Sequence, residues 1–136
     1  MANTNFLNNK LVEAVIGRAS YLSTGYYVGV STTTPTAAGG NVTEPAIGTA
    51  GYARVLVSEA EFGTATNGVI SNIVEQQFPQ STGVWLAGAN LTHFVVYDAA
   101  TGGNLLHYNV IPGTPQGVVE NTVLVLPIDG IQITSV

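Results

Sequence analysis

At 136 residues the chain is long enough for one domain that hides about two thirds of its unfolded surface without a metal or disulfide. With no cysteine it excludes disulfides, thiolate zinc sites and cysteine nucleophiles. Charged residues make up 8%, against about 25% in ordinary domains, the net charge is -5, and Lys10, Arg18 and Arg54 are the only bases, so nucleic acid and an anionic membrane are excluded as partners.

The first predicted element is a helix over Asn3 to Gly17, capped at its start by Thr4 or Asn5 and ended by Gly17, with Arg18 at its negative pole. Leu7, Leu11 and Val15 form an i, i+4 stripe that Val12 and Ile16 widen, opposite Asn9, Lys10 and Glu13. Such a short helix is stable only when docked, and its wide apolar arc suits both its own body and a neighbouring subunit. Tyr26 to Thr32 reads as a strand. Thr33 to Ala50 then forms a long loop rich in Pro, Gly and Thr, a length that marks a functional excursion or poor order.

Tyr52 to Ser58 alternates as a half-buried strand with Arg54 in its middle, paired with an acid such as Glu44 or Glu75 or else donating hydrogen bonds at an interface. Asn67-Gly68 predicts a hairpin turn between Phe62 and Ile73. Trp85 suits a core or an interface better than a sugar platform, because no second aromatic lies at a convincing spacing. The clearest hairpin pairs Thr92 to Tyr97 with Leu105 to Val110 across Ala-Ala-Thr-Gly-Gly. Setting Asp98 opposite Asn104 puts Phe94 across from Tyr108 and Val96 across from Leu106 on a core face. His93, Val95, Tyr97, Leu105 and His107 then share the other face, which is too apolar for water. A second sheet, the N-terminal segment or another copy of the chain is expected to cover it.

Thr122 to Leu126 and Gln132 to Ser135 are the last strands, expected to pair with each other through an Asp129-Gly130 turn. The whole reads as one domain over residues 1–136: a helical arm over residues 3–17, then residues 21–136 as an all-β antiparallel sandwich of jelly-roll type.

Chemical sites are sparse. His93 and His107 fall diagonally on one face, but Asp98, the nearest third ligand, falls on the other, so no metal site is expected. No nucleophile elbow, phosphate-binding loop or selected carboxylate pair is present, so neither catalysis nor a cofactor is expected. Mean hydropathy is +0.32, and much of the polarity comes from Thr, Asn, Ser and Gln. Uncharged polar surface of this kind is desolvated against a neighbour at less cost than charge, which suits an assembly subunit. The interface candidates are Leu7, Leu11, Val15, Arg54, Trp85, His93, Val95, Tyr97, Leu105 and His107. No apolar run reaches the roughly 20 residues of a membrane span, and Met1 to Phe6 lacks a secretory signal pattern, so synthesis in a cytoplasm is expected.

The runs N-K-L-V-E-A-V-I-G, Y-V-G-V-S-T-T-T-P-T-A-A-G-G, G-Y-A-R-V-L-V, N-G-V-I-S-N, F-P-Q-S-T-G-V-W and T-H-F-V-V-Y-D-A-A-T-G-G-N-L-L, in this order, resemble small virion proteins of tailed bacteriophages. Members of that family are commonly labelled tail fibre proteins, and similar domains serve as trimeric decoration or cement proteins on phage heads. The chain departs from the family pattern around Asn41 to Ala50, Leu86 to Asn90 and after Pro112. The resemblance implies a homotrimeric cement protein on the outer surface of the capsid, clamping neighbouring major capsid subunits. The alternative is a tail fibre or tail-tip module that contacts tail proteins or a host surface glycan.

Overall fold

The computed structural model describes residues 2–21, 25–86, 89–113 and 117–134. Its largest element is the predicted hairpin. β6 (His93–Tyr97) and β7 (Leu105–Val110) pair antiparallel. Asp98 Oδ1 accepts from the Asn104 amide at 2.7 Å and closes the turn, where Gly102 and Gly103 take positive φ.

β2 (Tyr26–Ser31) runs antiparallel to β6, and β3 (Val55–Val57) lies outside β2. On the other side β1 (Ala2–Asn3) pairs with β7, giving a five-stranded sheet of order β1-β7-β6-β2-β3. The Tyr52 to Ser58 strand shrinks to three residues because Tyr52 leaves the ladder. Its buried hydroxyl instead accepts the Val30 amide at 3.1 Å, where β2 has run past the end of β3.

The register of the hairpin corrects the expected one. Tyr97 faces Leu105 as anticipated, but a bulge between Val96 and Tyr97 shifts every later pair by one residue. Val96 therefore faces His107 rather than Leu106, and Phe94 faces Asn109 rather than Tyr108. With a side-chain period of two, the shift turns His107 onto the core face with Val28, Val96 and Phe94, and separates it from His93.

Against that face pack two short ladders. β4 (Val69–Ser71) pairs with β9 (Gln132–Thr134), and β5 (Gln76–Gln77) pairs with β8 (Val125–Leu126). β8 and β9 thus take separate partners rather than each other. Fully buried Asn72 explains the divergence: its amide nitrogen donates to Pro127 O and Val74 O, and its carbonyl oxygen accepts the Ile131 amide, so it stands where a mutual ladder would run. Ser135, the expected end of the last strand, lies outside the described residues. Phe78, Trp85, Leu91, Leu124, Leu126 and Ile131 fill the space between the layers, with Phe78 stacked on Phe94 at 6.3 Å. The result is an all-β, antiparallel, sandwich-like body with one helix; these ladders do not establish jelly-roll connectivity.

That helix, α1, spans Asn5–Val15. Thr4 caps it by accepting the Leu7 amide at 3.4 Å, while the same hydroxyl donates to Leu105 O and Leu106 O, tying the helix start to β7. Gly17, at φ +75°, ends it: the Gly17 amide bonds to Ala14 O and the Arg18 amide to Glu13 O, a Schellman closure. Leu7 joins the core, so the segment is packed into the body.

Candidate functional site

The outer face of the hairpin, expected to be the sticky one, is sealed by the chain itself. The segment from Thr33 to Arg54, rather than a second sheet, contributes the cover. Gly29 lies on that face opposite Val95, and a side chain there would strike Glu44 Oε2 and the Tyr52 hydroxyl. Arg54 stacks on the Tyr97 ring with its guanidinium carbon 3.7 Å from the centroid. Its fork grips Glu44 twice, Nε to Oε2 at 2.9 Å and a terminal nitrogen to Oε1 at 2.8 Å. The other terminal nitrogen donates to Ala99 O and Gly102 O, so the same arginine pins the hairpin turn.

Tyr52 donates its hydroxyl to Glu44 Oε2 at 2.6 Å. Burial first, and the neighbouring carboxylate second, push its phenol far above the usual range. The Tyr97 phenol is likewise raised, mainly by burial. The expected pairing of Arg54 with Glu44 is therefore present, and the long loop is ordered around it. Val95 is fully buried, and His93 and Leu105 nearly so.

The histidines part company. His93 stays on the outer face, its Nδ1 2.8 Å from the Thr92 hydroxyl, and burial lowers its pKa. His107 is fully buried beside the Tyr26 ring, and neither ring nitrogen has a hydrogen-bond partner among the described residues. Burial pushes its pKa down to about 3, so it is neutral at physiological pH. Among the described residues no cluster of histidines and acids is placed to hold a metal.

Trp85 is 1% exposed, packed edge-on against Tyr52 at 4.9 Å, and its indole N–H donates to Ala50 O. It is a core residue, and its ring offers no platform to a sugar.

The acids that sequence reasoning could not rank are largely occupied. Glu44 holds Arg54, Asp98 closes its turn, Asp129 accepts from the Ser71 hydroxyl, and Glu61 accepts the Ser58 amide, which lowers its pKa. Tyr52 and Asn72 are the structural residues that pattern reading missed. Tyr52 read as an alternating strand position, and Asn72 as the end of a hairpin.

What remains exposed and apolar lies elsewhere. Leu7 docks α1 and Leu11 is half-buried, but the helix end projects: Val12 is 63%, Val15 86% and Ile16 63% exposed. An open cleft of about 750 Å3 separates β3 from β4 and β9, lined by Tyr26, Leu56, Phe62, Ile70 and Ile133 among others. No helix among the described residues is long and apolar enough to cross a membrane.

The family model for the Podophage GP4 fiber I protein gp80 matches residues 2–134, nearly the whole chain. The chain belongs to the gp80 family. It is accordingly a fibre-type virion protein of a bacteriophage. Among curated proteins none matches it. In the gp80 fold described above, the ten interface candidates divide into three groups. Arg54, Tyr97, His93, Val95 and Leu105 belong to the sealed outer face, Trp85 and His107 to the core, and Leu7, Leu11 and Val15 to the helix, of which Val15 alone is fully presented to solvent.

Proposed function

We propose that the chain is a non-enzymatic structural subunit that joins other virion subunits, in a fibre-type assembly of the kind its family description names. The observation that carries this reading is the family match through residues 2–134. The physical properties agree with it. A protomer with a closed core, four of its acids held in structural bonds and an apolar helix end left in solvent is equipped for docking. A glycan platform built on Trp85 is not favoured, since Trp85 is enclosed.

A second reading, a capsid decoration or cement protein that clamps major capsid subunits as a homotrimer, is supported by the very low charge and by the compact, internally sealed protomer. Cryo-electron microscopy of particles carrying an antibody-labelled chain separates the two. A small copy number confined to the tail is the expected result. Copies spread over the head in numbers set by capsid symmetry would replace the fibre reading with the cement reading. A particle without the chain would end both.

A further inference from the structure

We infer that β8 pairs edge to edge with β8 of a second copy, antiparallel, with Val123 of one copy opposite Val125 of the other. The inference deepens the joining role proposed above and rests on it. β8 has a ladder neighbour on one side only, β5. The Phe78 amide bonds to Leu124 O and the Ser81 amide to Thr122 O, each at 2.9 Å, and Leu126 pairs with Gln76, so the even-numbered residues from Thr122 to Leu126 spend their backbone groups on β5 and the chain that continues it. Backbone groups alternate between the two edges of a strand, which turns those of Val123 and Val125 outward. Neither valine has a backbone hydrogen-bond partner on that edge among the described residues. The two are 43% and 37% exposed, while Leu124 and Leu126 are buried.

An open edge is ordinarily guarded, because it is a template for any other strand. The other described edges are guarded. β1 is two residues long. β3 stands between Arg54 and Glu59, and Glu61 takes the Ser58 amide at its end. On the outer side of β4 the Gly63 amide bonds to Ser71 O, the Asn3 side chain donates to Thr134 O of β9, and β5 starts directly after Glu75. The β8 edge has no such guard: from Asn121 to Ile128 no residue carries a charge, and the run Thr-Val-Leu-Val-Leu is uninterrupted until Pro127.

Self-complementarity identifies the occupant as a second copy. A two-fold axis opposite Leu124 sets each outward-turned valine against an outward-turned valine, and both pairs then exchange both of their N–H···O bonds while their β-branched side chains meet across the strands. The same axis brings every group toward its own copy, which a net charge of -5 opposes over most of the surface and this uncharged stretch allows. Beside the edge lies an open cleft of about 560 Å3, lined by Ile111, Pro112, Val118 and Val119 as well as the two valines, with no charged residue in its lining. A second strand therefore approaches without desolvating an ion. The contact is isologous and closes at two copies.

The chain has no cysteine, which makes the decisive experiment clean. Val123→Cys and Val125→Cys are made in separately tagged full-length chains; both side chains stand on the exposed face, away from the core. Opposed residues of a hydrogen-bonded pair lie about 5.5 Å apart between Cα atoms, within disulfide reach, whereas like positions fall on the diagonal at about 8 Å. Mild oxidation of the mixture is therefore expected to give a mixed-tag disulfide dimer in clear excess over the dimer from either variant alone. Sedimentation of the wild-type chain is expected to show a monomer–dimer equilibrium, and Val125→Lys, which guards the edge with a charge, to raise its dissociation constant about tenfold or more at an unchanged urea midpoint. A wild-type chain that stays monomeric at every concentration, a dimer indifferent to Val125→Lys, or a mixture without cross-linking in excess would each overturn the pairing. If Val125→Lys loses its fold, the cross-linking ratio decides alone. Those results leave the chain's place in the virion, read by particle labelling, untouched. A chain that dimerises through this edge yet is missing from particles would do the reverse.

Discussion

Arg54→Ala tests whether the seal over the hairpin is structural or ornamental. The substitution deletes four hydrogen bonds of 2.8 to 2.9 Å, two to Glu44 and one each to Ala99 O and Gly102 O, and it uncovers the Tyr97 ring. The carboxylate of Glu44, with 14% of its side chain exposed, is left without its counter-charge but cannot move into water unless the loop opens. Stranding one partner of a buried pair costs about 3 to 5 kcal/mol. For a chain of this size each kcal/mol lowers Tm by about 3 to 6 °C, so a fall of about 10 to 30 °C is expected in a calorimetric scan, with a matching shift in the urea midpoint. Arg54→Lys restores the charge but not the fork, and should recover only part of the loss. A cost below about 1 kcal/mol for Arg54→Ala, the level of an exposed ion pair, would refute the reasoning.

Three further outcomes follow from the same geometry. Tyr52→Phe strands the buried Val30 amide and removes a donor from Glu44, so urea titration should show a loss of about 1 to 3 kcal/mol; an unchanged midpoint would mean that water replaces the hydroxyl. His107 has a folded pKa of about 3 against 6.5 when unfolded. Below pH 6.5 the unfolded chain therefore binds the extra proton, stability is fully present above that value, and it falls as pH drops toward 3. At pH 5 the loss is about 2 kcal/mol, and it should vanish in His107→Leu; an equal pH dependence in both proteins would exclude His107 as its source. Asn72→Ala orphans Pro127 O and the Ile131 amide, and should cost about 2 to 4 kcal/mol while loosening the Ser71 to Gln132 register in amide exchange spectra; protection that stays native there would sink the role assigned to Asn72.

The strands of the central hairpin were legible because β-branched and aromatic runs on either side of a Gly-Gly link admit little else. Its register was not. A bulge adds one residue without changing composition, and that residue decided which face received His107. The Asn67-Gly68 turn was legible for the opposite reason: both residues take positive φ, which an L-residue other than Asn or Gly resists, and Thr66 and Val69 bond reciprocally across it. Asp129-Gly130 carried the same kind of signal and misled. A turn reverses the chain but does not oblige the flanking strands to pair when a buried side chain such as Asn72 offers each of them better partners. A mid-strand base in a chain with eight acids made an acidic partner legible, but left Glu44 and Glu75 as equal candidates until the loop placed Glu44 beside it. Tyr52 left no such trace, because its role depends on β2 outrunning β3 by three residues.

The seal also raises the question of why a chain so poor in charge spends an arginine and a glutamate inside. A buried ion pair is weak evidence for stability, since replacing both members with hydrophobic residues of similar size is often neutral or stabilising by about 1 to 4 kcal/mol. Here the double variant Glu44→Leu with Arg54→Met would keep most of the volume over Tyr97. Gly102 is exposed, so water can take over its carbonyl, and the Tyr52 hydroxyl still accepts the Val30 amide. The global midpoint is therefore expected to change by no more than about 1 kcal/mol, in contrast to either single truncation. What the double variant loses is direction. Only the fork ties Glu44, the hairpin turn and Tyr97 into a single arrangement, while the contacts Thr32 to Thr43 and Thr43 to Ser31 hold the loop elsewhere. The amides of Thr32 and Thr43 should accordingly exchange faster in the double variant than in the wild type at equal global stability. Exchange that stays as slow as in the wild type would show that the loop is placed by its backbone alone, and that the buried pair contributes nothing to specifying it.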